Sequence, residues 1–462
     1  MDTNFFIFIF LKGGGIVGPW QLIIIEAINH YDLLIVLIVC MIIILYGMMR
    51  LIIYKKINQF IALCDPLILT VLFQELTASI VPIYMYLQNW MYKPDDFIYS
   101  YISTEIAFWL GVIFFSCILN KSNLHFNAVC VSDNHRKNRR KLYWGYLILY
   151  FIIRGLYFYN CGEVPLFSEK YYTFFFEMSP IATRLSIDLY LIVSILCVDS
   201  LYDKKHKKIN RFMGLLVVLT FILSGQKGLI IYIFSAFFFV EVYRFKTGQP
   251  MMNITRKKAL IGVSIAFFIA LIPLIITSLG NDDYSPIVAM LIRIIGNGDS
   301  FPLFYGLPQT SPILFENTGI FNYIWANMAS FHFRFGYDID HLPTTELKWI
   351  MDSALGEYVV PLIRHNIIAI KVLGIEYGWI YSLFIGSCIG IFTRYIFNRI
   401  SGFNFYIYLI ICLVYEAVVE MIAVYQVVIR FEAVILNVFI ISIFYFIFES
   451  KFKDKNIVKR EK

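Results

Sequence analysis

Apolar runs near the ~17–25 residues that a helix needs to cross a bilayer recur along almost the whole chain. They fall at 31–49, 66–87, 98–119, 143–159, 181–199, 212–224, 227–244, 258–278, 376–393, 404–423 and 430–449, with 4–25 as a candidate twelfth. In lipid every backbone N–H and C=O needs an internal partner, so only helices and closed barrels can span. These runs lack the period-two alternation of barrel strands. The expectation is therefore an all-α, polytopic integral membrane protein of about 11–12 transmembrane helices. Composition agrees: 59% of the residues are hydrophobic and 15% charged, where a soluble domain carries about a quarter charged. Residues 1–462 read as a single membrane domain with the lipid bilayer as its solvent.

Basic residues give that domain an orientation. Arg50, Lys55 and Lys56 follow the first firm span, and His135 to Lys141 carries a dense basic run before the fourth. Lys204, Lys205, Lys207, Lys208 and Arg211 separate the fifth and sixth, Arg256, Lys257 and Lys258 precede the eighth, and the tail from Lys451 to Lys462 is basic. If the spans alternate, all these loops share one side. The positive-inside rule makes that side the cytoplasm and puts the C-terminus there. The opposite side then receives 88–97, 160–180, a tight turn near 225, a short link near 425 and one large periplasmic loop, 279–375. A connection of this length is usually functional or disordered, and its wealth of Phe, Tyr, Trp and Pro argues against disorder.

Other classes are set aside by the same residues. The net charge of +7 sits in short loops between spans, so it is no nucleic-acid signal. Five of the eight cysteines, Cys40, Cys117, Cys197, Cys388 and Cys412, lie in or beside apolar spans as small hydrophobes. No CxxC pair or metal-ligand spacing is seen, so no metal and no cofactor are expected. Phe5–Leu11 is apolar, but Lys12 and three glycines follow it with no cleavage site of small residues, so no signal peptide is expected.

The anomaly is a set of cations on the outer side. Arg154, Arg184, Arg293, Arg334, Arg364 and Arg430 lie at or near that face, and Lys227 joins them in the turn Ser224-Gly225-Gln226-Lys227-Gly228. A charge within an apolar helix is costly unless it is paired or lines a watery cavity, and arginine suits bidentate contact with phosphate. Local pairing is the structural alternative, Arg184 with Asp188 and Arg430 with Glu432. As a set, the cations point to an amphiphilic anion held at the outer leaflet. The turn at Gly225 adds N–H groups at a helix start, which favour an anion.

Three segments carry a family likeness: the Ser224–Gly228 turn between adjoining helices, the stretch Arg293-Ile294-Ile295-Gly296-Asn297-Gly298-Asp299-Ser300, and Glu376 to Gly386 at the start of a later helix. In these, and in its layout of about a dozen helices with one late outer loop, the chain resembles the Wzy-type O-antigen and capsular repeat-unit polymerases. Lys227 stands where that family commonly has arginine. The resemblance implies a glycosyltransferase of the bacterial inner membrane. It would transfer a growing glycan from undecaprenyl diphosphate to a new lipid-linked repeat unit, releasing undecaprenyl diphosphate, without a metal. Undecaprenyl-diphosphate-linked oligosaccharide is then the substrate, and a chain-length regulator is a further partner.

Such chemistry needs fixed positive charge for the leaving group, for which Arg154, Arg184, Lys227, Arg293, Arg334 and Arg430 are the candidates. It also needs a base for the acceptor hydroxyl. His332, beside Arg334, is the first choice, with Asp299 next; His341, Asp338, Asp340 and Glu357 are further candidates. His332 also reads as an interfacial histidine among Phe331, Phe333 and Phe335. Three rival readings stand: a polyprenyl-linked-sugar glycosyltransferase, for which Asp95-Asp96 would be an acidic pair rather than a helix cap, an O-antigen ligase-like enzyme, and a lipid-linked-oligosaccharide flippase. Glu416 and Glu420, one turn apart in an apolar span, speak for transport or for pairing with Arg394 or Arg430.

Overall fold

A computed structural model describes residues 64–71, 76–87, 93–118, 133–167, 180–224, 229–249, 319–324, 364–393, 404–422 and 427–458, with isolated positions between them. The expected spans 31–49 and 258–278, and the candidate span 4–25, lie outside the described residues. Among those described there is no β-strand. The helices are α1 (Pro66–Thr70), α2 (Leu76–Leu87), α3 (Pro94–Ile118), α4 (Asp133–Cys161), α5 (Pro180–Ser200), α6 (Lys207–Leu223), α7 (Leu229–Lys246), α8 (His365–Ile391), α9 (Phe405–Glu420) and α10 (Val427–Val458). Five stretches within them are long and apolar enough to cross a membrane: Pro94–Ser116, Lys137–Cys161, Ile181–Ser200, His365–Ile391 and Arg430–Phe448. The protein is an all-helical, membrane-embedded bundle.

The surface of the bundle confirms its solvent. Along α3, Ile102, Ile106, Leu110 and Phe114 form an i, i+4 stripe with each residue about half exposed, while Ser100, Thr104, Phe108 and Val112 are buried on the other face. A continuous stripe of large apolar side chains on the outer face suits lipid, not water. Ile148, Ile152 and Leu156 on α4, and Ile435, Phe439 and Phe446 on α10, repeat the pattern.

Local chemistry sets the helix ends. Asp95 and Asp96 occupy the first turn of α3, beside the unpaired amides and the positive end of the helix dipole. Lys93 reaches Asp96 at 3.5 Å, an exposed pair that adds little. The Asp65 carboxylate caps α1, accepting from the Leu67 amide at 2.9 Å. Asn404 caps α9 in the same way. α6 and α7 are consecutive helices, as expected, and the turn between them at 225–228, with Lys227, lies outside the described residues.

The largest departure from the sequence reading is at Gly374. The expectation puts 364–375 in the long outer segment and starts the next span at residue 376. In the structure helix begins at His365, and Gly374 breaks it with φ 79° and ψ 176°. That φ lies in the region glycine adopts without cost. Contacts on the two sides of the break are antiparallel: His365 Nδ1 lies 3.1 Å from Ser382 Oγ, and Gly378 packs on the backbone of Ala369. So α8 is a helical hairpin. Its short first arm, 365–373, rises to Gly374, and its second arm, 375–391, descends beside it. Only the second arm has about the length and apolar composition to cross. The first arm is wholly enclosed, His365 to Ile370 being buried without exception.

The second arm and α3 run side by side in parallel, separated by glycine. A Cβ placed on Gly386 would lie 2.0 Å from the Phe108 carbonyl oxygen, one on Gly390 2.7 Å from that of Val112, and one on Gly111 2.6 Å from that of Leu383. The spacing Gly386-x-x-x-Gly390 lets two backbones touch, the packing mode that membrane helices favour. Gly386→Val is therefore expected to force the helices apart at a cost of at least ~1–3 kcal/mol, because backbone rather than a flexible side chain is in the way. A lowered unfolding temperature of the detergent-purified variant would show this; wild-type unfolding would mean the helices are not in contact there.

Candidate functional site

Polar side chains inside the bundle gather at two levels. One end holds the termini Cys161, Pro180, Leu229, Glu420 and Val427, and is called here the Arg184 end. The other holds Asp133, Ser200, Lys207, Lys246 and Phe405. At that second end Arg139 and Arg244 both face Asp199, at 3.7 and 3.2 Å. Arg139 also donates to the Tyr243 hydroxyl at 2.9 Å and lies 4.4 Å over the ring of Phe405. Arg244 covers Tyr202 at 3.5 Å. This cluster ties α4, α5, α7 and α9 together through its own members, so it reads as a structural clasp.

At the Arg184 end the structure describes three of the predicted anion-binding arginines. Arg184 and Arg430 exchange the partners that local spacing suggests. Arg184 Nε donates to Glu432 Oε2 at 2.8 Å, whereas Arg430 pairs with Asp188. Arg430 Nε also meets Glu420 Oε2 at 2.5 Å, as one of the sequence alternatives for that glutamate expected. The local pairs Arg184–Asp188 and Arg430–Glu432 are thus replaced by pairs between α5 and the α9–α10 end. The reason is packing: α5 and α10 lie together along their length, so a charge across the interface is closer than one a turn away. Arg154 is buried with its guanidinium 3.9 Å over the Tyr190 ring. Tyr190 stacks on Tyr232, and Tyr232 donates to Glu420 at 3.1 Å. Arg184 and Arg430 neutralise carboxylates as they stand.

A second polar group lies along α3, about 16 Å of helix from Pro94. Thr104 and Glu105 face the start of the α8 hairpin. Asn366 Nδ2 donates to Thr104 Oγ1 and to Glu105 Oε1, each at 3.0 Å. His365 Nε2 lies 3.5 Å from Glu105 Oε1, and its ring stacks on Phe108 at 4.6 Å. Glu105 keeps 17% of its side chain exposed, while His365 is fully enclosed. So the carboxylate is the reachable member, and histidine, asparagine and serine hold it in place. Arg364, also fully buried, is the residue just before the hairpin's first arm. The arm's first amide, His365 N, donates to the Ile422 carbonyl at 2.9 Å. Ile422 is two residues beyond Glu420, so this bond ties the hairpin to the ion network.

Sequence reasoning missed Glu105, His365 and Asn366. Glu105 is a lone carboxylate in an apolar span, and such a residue is a functional candidate by itself. The predicted residues His332, Asp299, Arg293, Arg334 and Lys227 all lie outside the described residues, as do His341, Asp338, Asp340 and Glu357. No three His, Cys, Asp or Glu side chains converge as metal ligands among the described residues. A cavity of about 430 Å³ runs between α5, α6 and α7, lined by apolar groups such as Val198, Leu215, Phe221 and Phe237 with Arg211 at its rim. It is suited to hydrocarbon.

Comparison with protein-family models, curated proteins and solved structures found no match.

Proposed function

We propose that the protein is a glycosyltransferase of the bacterial inner membrane that polymerises undecaprenyl-diphosphate-linked oligosaccharide repeat units at the periplasmic face. The observation that carries the reading is the buried α8 hairpin, which sets His365 and Asn366 against Glu105 inside an apolar bundle, with buried Arg364 just before them in the chain. Interrupted helix at membrane depth is tolerated where it lines a working site. Glu105 supplies a base for the acceptor hydroxyl, held by Asn366 and His365.

The resemblance drawn from Ser224–Gly228, Arg293–Ser300 and Glu376–Gly386 supplies the sugar chemistry. Glu376–Gly386 opens the second arm of the same hairpin, and its Gly378 and Ser382 make the turn's contacts. In this reading the Arg184 end faces the periplasm and the C-terminus lies in the cytoplasm, with eleven or twelve spans and 279–375 as the large periplasmic segment. Arg293, Arg334 and Lys227 add charge for the leaving group, and His332 and Asp299 remain the proton acceptors to weigh against Glu105. The cavity between α5, α6 and α7 suits a prenyl chain.

The test is reconstitution. Purified protein in lipid with a polyprenyl-diphosphate-linked oligosaccharide is expected to yield longer lipid-linked glycans and free polyprenyl diphosphate, with chelator present. Unchanged substrate under these conditions, with folded protein, would remove the proposal. A transport reading is favoured by one observation, the carboxylates Asp188 and Glu416 buried within helices, with Glu420 half-buried one turn from Glu416. A strain lacking the protein separates the two: single repeat units at the outer surface are expected for a polymerase, and retention in the cytoplasmic leaflet for a flippase. In the same strain, Arg293→Ala is expected to give single units in place of ladders. Wild-type ladders at normal protein level would remove Arg293 from the site.

A further inference from the structure

Ion pairing at the Arg184 end leaves one carboxylate out. Among the described residues Arg184 and Arg430 pair with Glu432, Asp188 and Glu420, while Arg154 lies over the Tyr190 ring. Glu432 is bonded to Arg184, and Asp188 and Glu420 to Arg430. Glu416 is left over. Its side chain is 3% exposed, its Oε2 is fully enclosed without a hydrogen-bond partner, and no ion pair reaches it among the described residues. Among the described residues the groups that act on it are Asp65 from the start of α1, Asp188 from α5, Tyr232 from α7, Cys412 and Glu420 from its own helix, and Arg430 from α10; α8, which also packs on α9, has the buried Arg364 as its N-cap. Three of these neighbours are carboxylates.

An ionised group in that position would carry an uncompensated charge in a low-dielectric interior, which proteins avoid by neutralising it. A metal ion is a poor neutraliser here, because no set of three ligands converges among the described residues. A proton needs only one oxygen. We propose that Glu416 is a reversible proton-binding site, neutral in the resting protein, whose ionisation draws Arg430 away from Glu420. The two glutamates are one helical turn apart, so a small swing of one guanidinium exchanges its partner. Loss of the proton would thereby shift the link that Arg430 makes between α9 and α10 by one helical turn, from Glu420 to Glu416. This inference does not depend on the glycosyltransferase reading.

Infrared difference spectra of the full chain in lipid nanodiscs, taken between neutral and alkaline pH, test it. A neutral-carboxyl band is expected to be lost on alkalinisation in the wild type and in Glu420→Gln, and to be absent from Glu416→Gln. Glutamine copies the shape and neutrality of the protonated acid, so that variant is expected to fold. Superimposable wild-type and Glu416→Gln spectra would overturn the proposal. A lipid-soluble carbodiimide on the wild type needs no variant. The expected adduct is on Glu416, diminishing as pH rises, and an adduct on Glu420 with Glu416 unmodified would equally overturn it.

Discussion

Arg430→Ala is expected to abolish accumulation of folded protein. Arg430 is 4% exposed and Asp188 is fully buried, so the substitution leaves Asp188 with no cation and strips Glu420 of its own. Removing one partner of a buried pair costs about 3–5 kcal/mol, mostly for the stranded charge. That is a large share of the ~5–15 kcal/mol that holds a typical domain folded. Restoring neutrality should restore the fold. Arg430→Met combined with Asp188→Asn and Glu420→Gln removes both charges along with their partner and is expected to return most of the monodisperse protein on size-exclusion chromatography. Arg184→Ala strands only Glu432, which is 12% exposed, and should be the milder change. If Arg430→Ala alone gave wild-type yield and unfolding temperature, the network would not be structural. Arg430 would then return as a ligand for an outer-leaflet anion.

That result bears on how the sequence should be read. Long spans and their ends were legible because they follow from hydropathy and from basic loops: 181–199 against Pro180–Ser200, and 212–224 against Lys207–Leu223. The ion pairs were not, since Arg184 has a carboxylate four residues away and another 248 away, and only the packing of α5 on α10 selects the distant one. The hairpin at Gly374 was hidden for a related reason. Arg364, His365, Asn366 and Lys371 lower the hydropathy of 364–373 to that of a loop, although all four are buried. His365 and Asn366 face Glu105, Thr104 and Ser382, contacts that local composition cannot express. Two signals were present but unused: a glycine after the apolar run Ile367–Ile370, and the spacing of Gly386 and Gly390, which marks a close helix contact.

Glu105→Gln is expected to lower turnover of lipid-linked donor by about 10²–10⁴-fold, the usual contribution of a general base. The fold should survive, because the Gln carbonyl can accept the hydrogen bond that Asn366 gives to Glu105 Oε1. Unfolding temperature therefore separates chemistry from stability: it stays put while rate falls. His365→Ala should cost less in rate, since the imidazole lies 3.5 Å from the carboxylate and supports it only through Nε2. His332→Ala is the decisive companion, because His332 and Glu105 compete for one role. Loss of rate in Glu105→Gln with His332→Ala near wild type would place proton transfer at the hairpin. The reverse outcome would move it to the connecting segment and leave Glu105, His365 and Asn366 as the polar latch between α3 and α8. Both variants failing equally, with intact folding, would mean that the acceptor is bound between them and that the two groups act on successive proton transfers.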